Sequence, residues 1–413
     1  MRDFILGVPS KDHDIATSAD PDELCRLFPN AVTVGKAFGV IKVPLGGEGP
    51  EFLEIATFRE DLEYRDHRHP KAVRFSGPQE DARRRDFTIN ALYYDPKTSR
   101  ILDSTGGMED LKRGVVRAIG VADERFREDA LRLLRAIRFA TQFGFALDPA
   151  TAEAIRARSK LIAKISPERI REELTRMWMG PRPAESLELL SKQSLLTYVL
   201  PELDHLHGLK QPVGAYGESD AWKSLLRTLR VLAKQSPARS SRLAWAAILS
   251  DIGKPKAARK SAGKNFNEHE TMGAAMAAEI VARLKFSRAD GDQIVAMILD
   301  HLKFREVFSM REATLERFVR EPHFEEMLAL HKAQATASDG NLAFYEFCAY
   351  RLAAARTASA EPRLIDGKDL IQLGLMPGKE FSEILRAVED LALERKLRTK
   401  EEALEYIVKH FVE

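Results

Sequence analysis

"VPSKDHDIATSAD", residues Val8–Asp20, sets two aspartates, Asp12 and Asp14, around one histidine just before an apolar run. Ile15, Ala16 and Thr17 read as a strand leaving a turn. Alternate residues of a strand share a face, so Asp12 and Asp14 converge while His13 points the other way. Converging like charges repel unless a cation lies between them. An isolated Asp-x-Asp is also a common turn pattern, so a further acid is needed to decide. Glu54 supplies it, in mid-strand within "FLEIATF" (52–58), where an unpaired acid is costly. Three acids suit a two-metal centre, with ions about 3.5–4 Å apart that activate one oxygen and stabilise the leaving one. Mg²⁺ in phosphate chemistry is typically held by one or two carboxylates together with substrate phosphates.

Outward from that stretch the chain alternates strands and turns. Asp20-Pro21-Asp22-Glu23 has the form of a helix start, with Asp20 as N-cap, Pro21 at the first position and Glu23 closing the box. "AVTV" (31–34) and "GVIKV" (39–43) read as strands around Gly35 and Gly39, and "PLGGEGP" (44–50) as a turn. "REDLEYRDHRHPKAVRFSGPQEDA" (59–82) is charged and long, and is expected to be a functional or mobile loop. From about Glu124 onward apolar residues recur at spacings of three and four, the helical period. Breaks are expected near Gly180-Pro181, at "KQSPARSS" (234–241) and around Ser359–Arg363. No repeat or low-complexity tract is evident.

The chain has 413 residues, too many for one ordinary core, so two to four domains are expected. A formal net charge of +2 means that any nucleic-acid footprint is a local patch. The two cysteines, Cys25 and Cys348, make neither a disulfide framework nor a zinc pattern, which fits a reducing, cytoplasmic setting. The apolar run at the N-terminus is too short for a signal-peptide core. No stretch approaches the roughly 20 apolar residues that span a bilayer, so no membrane partner is expected.

Four stretches carry a resemblance. "RDFILGVPSKDHDIAT" (2–17), "RRDFTINAL" (84–92), "DSTGGMEDL" (103–111) and "RFREDALRLLRAIRF" (125–139) occur in the order and spacing of bacterial class II tRNA nucleotidyltransferases. That family comprises CCA-adding enzymes and their poly(A) polymerase relatives. The resemblance is dense over about the first 180 residues and thin beyond. It implies an α+β chain: a small polymerase-β-type head with a mixed sheet, followed by an elongated all-α neck, body and tail. The implied domains are a catalytic head (1–120), a neck for nucleotide selection (121–180), a helical body (181–360) and a helical tail (361–413).

The resemblance further implies that Asp12 and Asp14 hold Mg²⁺, with Glu54 as the third acid. Arg2 and Arg85 match positions that contact the incoming triphosphate, a role suited to the bidentate guanidinium. In "EDALRLLRAIR" (128–138), Asp129, Arg132, Arg135 and Arg138 follow at i+3 steps as one ridge, with Leu131, Leu134 and Ile137 as the packing side. Taken alone this is an ordinary amphipathic helix. The resemblance assigns Asp129 and Arg132 to base selection, one offering acceptors and the other donors, with Arg135 and Arg138 supporting the nucleotide. The partners implied are CTP, ATP and the 3′ end of tRNA, joined without a nucleic-acid template. Nothing in the sequence fixes an oligomeric state.

The family's Gly-Gly pair and the strand before it have no counterpart ahead of Met1, which stands where the family has valine. This leads us to expect that an internal valine codon was taken as the start and that the natural protein is longer. Intact-mass analysis of the endogenous N-terminus checks this; a chain genuinely starting at Met1 should bind nucleotide more weakly. "VGKAFGVIKV" (34–43) lacks the Arg-Arg-Phe element usual in poly(A) polymerases, which points to the tRNA-finishing branch. Relatives that add only the two cytidines usually lack the loop after the third strand, and "REDLEYRDHRHPKAVRF" (59–75) is full length here, which favours addition of the terminal A. Full CCA addition is therefore expected; A addition alone, poly(A) synthesis, an HD-type phosphohydrolase and a catalytically dead RNA-binding remnant are the alternatives.

In the body, "LAWAAILSDIGKP" (243–255), "FNEHETMGAA" (266–275) and "ILDHLKF" (298–304) resemble an HD phosphohydrolase domain, over about 215–305. Such a domain needs a His-Asp pair as metal ligands. Here Ser250 fills the histidine slot before Asp251, and Lys223 lies where another histidine is needed. His269 and His301 persist. Three scattered ligands imply a degenerate, structural domain without hydrolase activity.

Overall fold

The structure is a computed structural model that describes residues 1–9, 14–33, 35–45, 52–64, 70–211, 220–263, 265–357, 364–394 and 396–412. Asp12, His13 and the expected break at Ser359–Arg363 lie outside the described residues. The chain divides into two compact units, Met1–His205 with Ile280–Phe286, and Leu206–Glu279 with Ser287–Glu413.

The first unit opens with a short helix, α1 (Arg2–Ile5), and then a three-stranded sheet. Strand β1 (Asp14–Thr17) runs parallel to β3 (Phe52–Thr57), and β2 (Val40–Pro44) runs antiparallel to β3 on its other side. Helix α2 (Pro21–Leu27) begins as the sequence dictates. The Asp20 side chain accepts from the Glu23 amide, and the Glu23 side chain accepts from the Asp20 amide. The α2 side chain Leu24 packs on Ile41 and Ile55, with Cys25, Val43 and Leu53 around them. That leaves Lys42 and Glu54, at the alternate positions, on the opposite face.

Two expectations are corrected here. "AVTV" forms no strand; the described part contributes only an isolated bridge between Val32 and Lys42. The charged stretch 59–82 is not one loop: it contains an antiparallel hairpin of β4 (Arg59–Tyr64) and β5 (Pro70–Phe75), followed by helix α3 (Pro78–Arg84). The charges of this ribbon are taken up by partners: Asp61, whose side chain is nearly buried, binds Arg59 at 3.1 Å and lies 3.7 Å from Arg84. Glu60 sits directly across from Arg74 and pairs with it.

A second hairpin, β6 (Leu92–Asp95) with β7 (Arg100–Asp103), precedes α4 (Gly107–Arg113). Helices α5 (Ala122–Glu128), α6 (Arg132–Phe143), α7 (Pro149–Arg158) and α8 (Pro167–Met179) complete the region read as neck. Leu133, Leu134, Ala136, Ile137, Phe139 and Ala140 bury one broad face of α6. The expected continuous helix through "EDALRLLRAIR" is interrupted. Asp129 is extended (φ −138°, ψ 105°) and its side chain accepts from the Leu131 amide at 3.0 Å. An aspartate that bonds a backbone amide two residues on competes with the helical ladder, which is why the ridge splits there.

The second unit is helical. Of the expected breaks, one falls in the first unit, where Gly180 ends α8 before a helix at Pro183–Lys192, and one in the second, where Gln235 ends one helix before Ser240 caps the next, Ser241–Leu249. The tail helices Gly367–Gln372, Lys379–Leu393 and Lys400–Phe411 enclose their own core of Leu370, Ile384, Val388, Ala403 and Ile407. Among the described residues no helix is long and apolar enough to cross a membrane.

Candidate functional site

The parallel register of β1 and β3 sets Asp14 directly opposite Glu54, so two of the three expected acids are neighbours on one sheet face. Both are exposed. Glu54 is not an unpaired acid in a core: Lys42, its partner across β2, reaches its carboxylate at 2.7 Å, and both side chains are about half exposed (42% and 49%). The face is therefore acidic, open to solvent and already attractive to one cation. Its donors are hard carboxylate oxygens, the chemistry that suits Mg²⁺ or Mn²⁺ over softer ions.

The arginines form a second group. Arg2 donates to the Asn90 side-chain oxygen and lies over the rings of Phe139 (4.9 Å) and Phe143 (4.6 Å). Arg135 and Arg138 stand over the same Phe139 ring, at 5.2 and 4.1 Å. Arg85 donates to the Asn90 carbonyl at 3.1 Å and lies 4.8 Å over Tyr93. Asn90 thus links two of these arginines, and its amide also donates to Asp86, which binds Arg135 at 2.7 Å. Each cation has a close carboxylate: Asp3 for Arg2, Asp81 for Arg85, Asp86 for Arg135 and Glu173 for Arg138, with Glu173 also 4.0 Å from Arg135. A guanidinium has five N–H donors, more than one carboxylate can take up.

The ridge pair does not meet. Asp129 accepts from Arg169 of α8 at 3.1 Å. Arg132, 8% exposed, donates to Glu128 at 2.7 Å, to the Arg125 carbonyl at 3.2 Å and to the Arg84 carbonyl at 3.0 Å. Arg132 thereby ties the start of α6 to the residue beside Arg85. No ion pair among the described residues joins Asp14 or Glu54 to the arginine group.

Three buried acids that organise this site escaped the reading of the sequence: Asp81, Asp86 and Glu173. Asp81, 2% exposed, takes Arg84, Arg85 and the Tyr93 hydroxyl. Burial alone would raise the Asp81 carboxyl; Arg84, Tyr93 and Arg85 override it and hold the group below the usual carboxylate range. Burial opposes ionisation of Asp86 likewise, and Arg135 with Asn90 holds it down. Glu173 gathers Arg138 at 2.6 Å and Arg176 at 3.2 Å. For Asp86 a signal existed, an acid beside "RR"; Glu173 looks like any acid of an amphipathic helix.

The second unit holds another cluster, and one expectation about it is corrected. Asp251, His269 and His301 are not scattered: their ligand-type atoms lie within 4.8 Å of one another, and all three residues are buried. Lys223 is exposed at the start of its helix, and the Ser250 hydroxyl donates back to the Ala247 carbonyl at 3.2 Å. Burial pushes the His301 imidazole down to about 4 and lowers His269 as well. Burial would raise Asp251, but Lys254 and the two histidines hold it low.

The family described as "Poly A polymerase head domain" matches residues 1–117, and "Probable RNA and SrmB- binding site of polymerase A" matches 144–206. A CCA-adding enzyme of Geobacillus thermodenitrificans (strain NG80-2) is 46% identical over 200 residues; the match spans 48% of each chain, about half the relative's length. A CCA-adding enzyme of Leuconostoc mesenteroides is 33% identical across 100% of this chain and 91% of its own. The crystal structure of the Bacillus stearothermophilus CCA-adding enzyme in complex with CTP superimposes with a TM-score of 0.71 at 26% identity, over 99% of this chain and 90% of that one.

Proposed function

The chain belongs to the family of CCA-adding enzymes, and on that premise we propose that it extends tRNA 3′ ends with CCA, from CTP and ATP, without a nucleic-acid template. The observation that carries the reading is the pairing of Asp14 with Glu54 on an open sheet face, inside the part of the chain that matches a polymerase head.

A nucleotidyltransferase of this family uses divalent metal; the finer proposal is Mg²⁺, held by Asp12, Asp14 and Glu54. Bound there, the metal supplies Lewis-acid activation and charge neutralisation. The residues of the chain do the rest. Arg2, Arg85, Arg135 and Arg138 receive and orient the triphosphate, with Phe139 as a common floor beneath three of them. Their carboxylate partners fix the guanidinium planes before the nucleotide arrives, so little ordering is left for the moment of reaction. Asp129 and Arg132 read the base edge; for this Asp129 exchanges Arg169 for the nucleotide. The 3′-hydroxyl of tRNA gives up its proton to solvent water as its oxygen attacks the α-phosphorus, the α–β bridging bond breaks, and pyrophosphate departs with the electron pair.

The test incubates the protein with Mg²⁺, labelled CTP or ATP, and tRNA transcripts ending before or within CCA. Two cytidines followed by one adenosine are expected, and Asp14→Ala or Glu54→Ala should abolish incorporation. ATP incorporation alone would reassign the chain to A addition, and long homopolymer tails to poly(A) synthesis. Absence of all transfer by the wild type would overturn the proposal.

A further inference from the structure

The Asp251 cluster lies outside the residues that match the polymerase head and the RNA-binding family, yet it is built like a metal centre. Both histidines bond through Nδ1 to a backbone carbonyl, His269 to Phe266 at 2.8 Å and His301 to Ile298 at 2.6 Å. A carbonyl can only accept, so Nδ1 carries the proton in each ring and Nε2 keeps its lone pair. This is how metal-binding histidines are commonly oriented. His269 is 2% exposed and its Nε2 has no hydrogen-bond partner. Two imidazoles and a carboxylate are a sufficient donor set for a zinc-type ion with one open position.

The cluster also contains what a metal centre cannot easily accommodate. Lys254, 2% exposed, places its ammonium 2.9 Å from Asp251 Oδ2 and 2.7 Å from Gln211 Oε1. Gly253 makes this possible: a Cβ there would lie 2.0 Å from the His269 carbonyl oxygen. Only glycine lets the Asp251–Lys254 turn sit so close to the His269 helix. One buried negative charge already has one buried positive partner, beside two uncharged imidazoles. A divalent ion added to that set would leave two uncompensated charges in a buried pocket, a large cost. The metal that an HD-type domain implies therefore does not fit these residues.

We propose that the Lys254 ammonium takes the place of the metal in this pocket: the wild-type body binds no divalent ion there, and removing the ammonium exposes a latent site for one zinc-type cation on Asp251, His269 and His301. Cobalt reports the geometry, because tetrahedral Co²⁺ with histidine ligands absorbs strongly in the visible, whereas octahedral Co²⁺ on carboxylates of the head absorbs weakly. Chelator-stripped full-length protein is titrated with CoCl₂ alongside K254M, K254Q and the double variant K254M/H301Q. The expected result is no tetrahedral spectrum for wild type, one equivalent for K254M or K254Q, and none for K254M/H301Q. K254Q keeps the side chain long and uncharged and guards against misfolding of K254M. One equivalent of tetrahedral cobalt on the wild type would overturn the proposal. Failure of both folded single variants to bind would overturn it too.

Discussion

Two acid clusters in this chain use similar residues to opposite ends. Asp14 and Glu54 share an open sheet face and are exposed, and among the described residues Glu54 pairs with one cation, the half-exposed Lys42. Asp251 lies among His269, His301 and Lys254 at 7% exposure or less, with its counter-charge locked in place. The difference is accessibility and charge compensation rather than ligand type. The open pair can exchange its lysine for a metal and a nucleotide at little desolvation cost; the closed cluster has no vacancy to offer. A list of ligand-type residues would rank the second site above the first.

The largest test exchanges the two acids. Asp14→Ala should remove nucleotidyl transfer while changing stability little, since the side chain is exposed. Asp251→Ala should leave transfer per folded molecule intact but strand the buried Lys254 ammonium, costing about 3–5 kcal/mol. Urea unfolding of the two variants beside the tRNA assay checks this; loss of transfer in folded Asp251→Ala would break the comparison.

A smaller effect is acid sensitivity of the closed cluster. Folding depresses the His301 imidazole from the ordinary 6.5 to about 4 in a pocket that Asp251, Lys254 and His269 also face. The unfolded chain binds that proton more readily, so this stability is fully present above about pH 6.5 and is lost as pH falls toward 4. The full loss is ~3 kcal/mol for the one residue. Denaturation midpoints between pH 7 and 4 should fall less steeply in His301→Gln; an unchanged slope would remove the claim.

The smallest concerns the rim. Lys42→Ala should shift stability by less than about 1 kcal/mol, because exposed pairs contribute little. It should also lower the Mg²⁺ needed for half-maximal transfer by about twofold, because Glu54 no longer has a competing partner. A Mg²⁺ titration of wild type and variant measures it.

Local signals were readable in the chain. The Asp20/Glu23 capping box, the helical period after Glu124 and the breaks at Gly180 and "KQSPARSS" all depend on neighbours within a few residues, and the structure has them. The 59–82 stretch misled because charge density resembles a loop, whereas in the hairpin these charges pair with one another, Asp61 with Arg59 and Glu60 with Arg74. The Asp129 interruption misled because i+3 spacing cannot reveal an aspartate that bonds the backbone instead of continuing the helix.

By itself the sequence determined the residue types and their order: acids at 12, 14 and 54, arginines at 2, 85, 132, 135 and 138, and the motif register that implied the family. Only the tertiary structure decided which charges meet. It gave Arg132 to Glu128 and Asp129 to Arg169, buried Asp86 and Glu173 beneath the arginines, and closed Lys254 over Asp251. The physical reason is that an ion pair depends on distance and desolvation, and residues far apart in the chain acquire both only when the backbone packs.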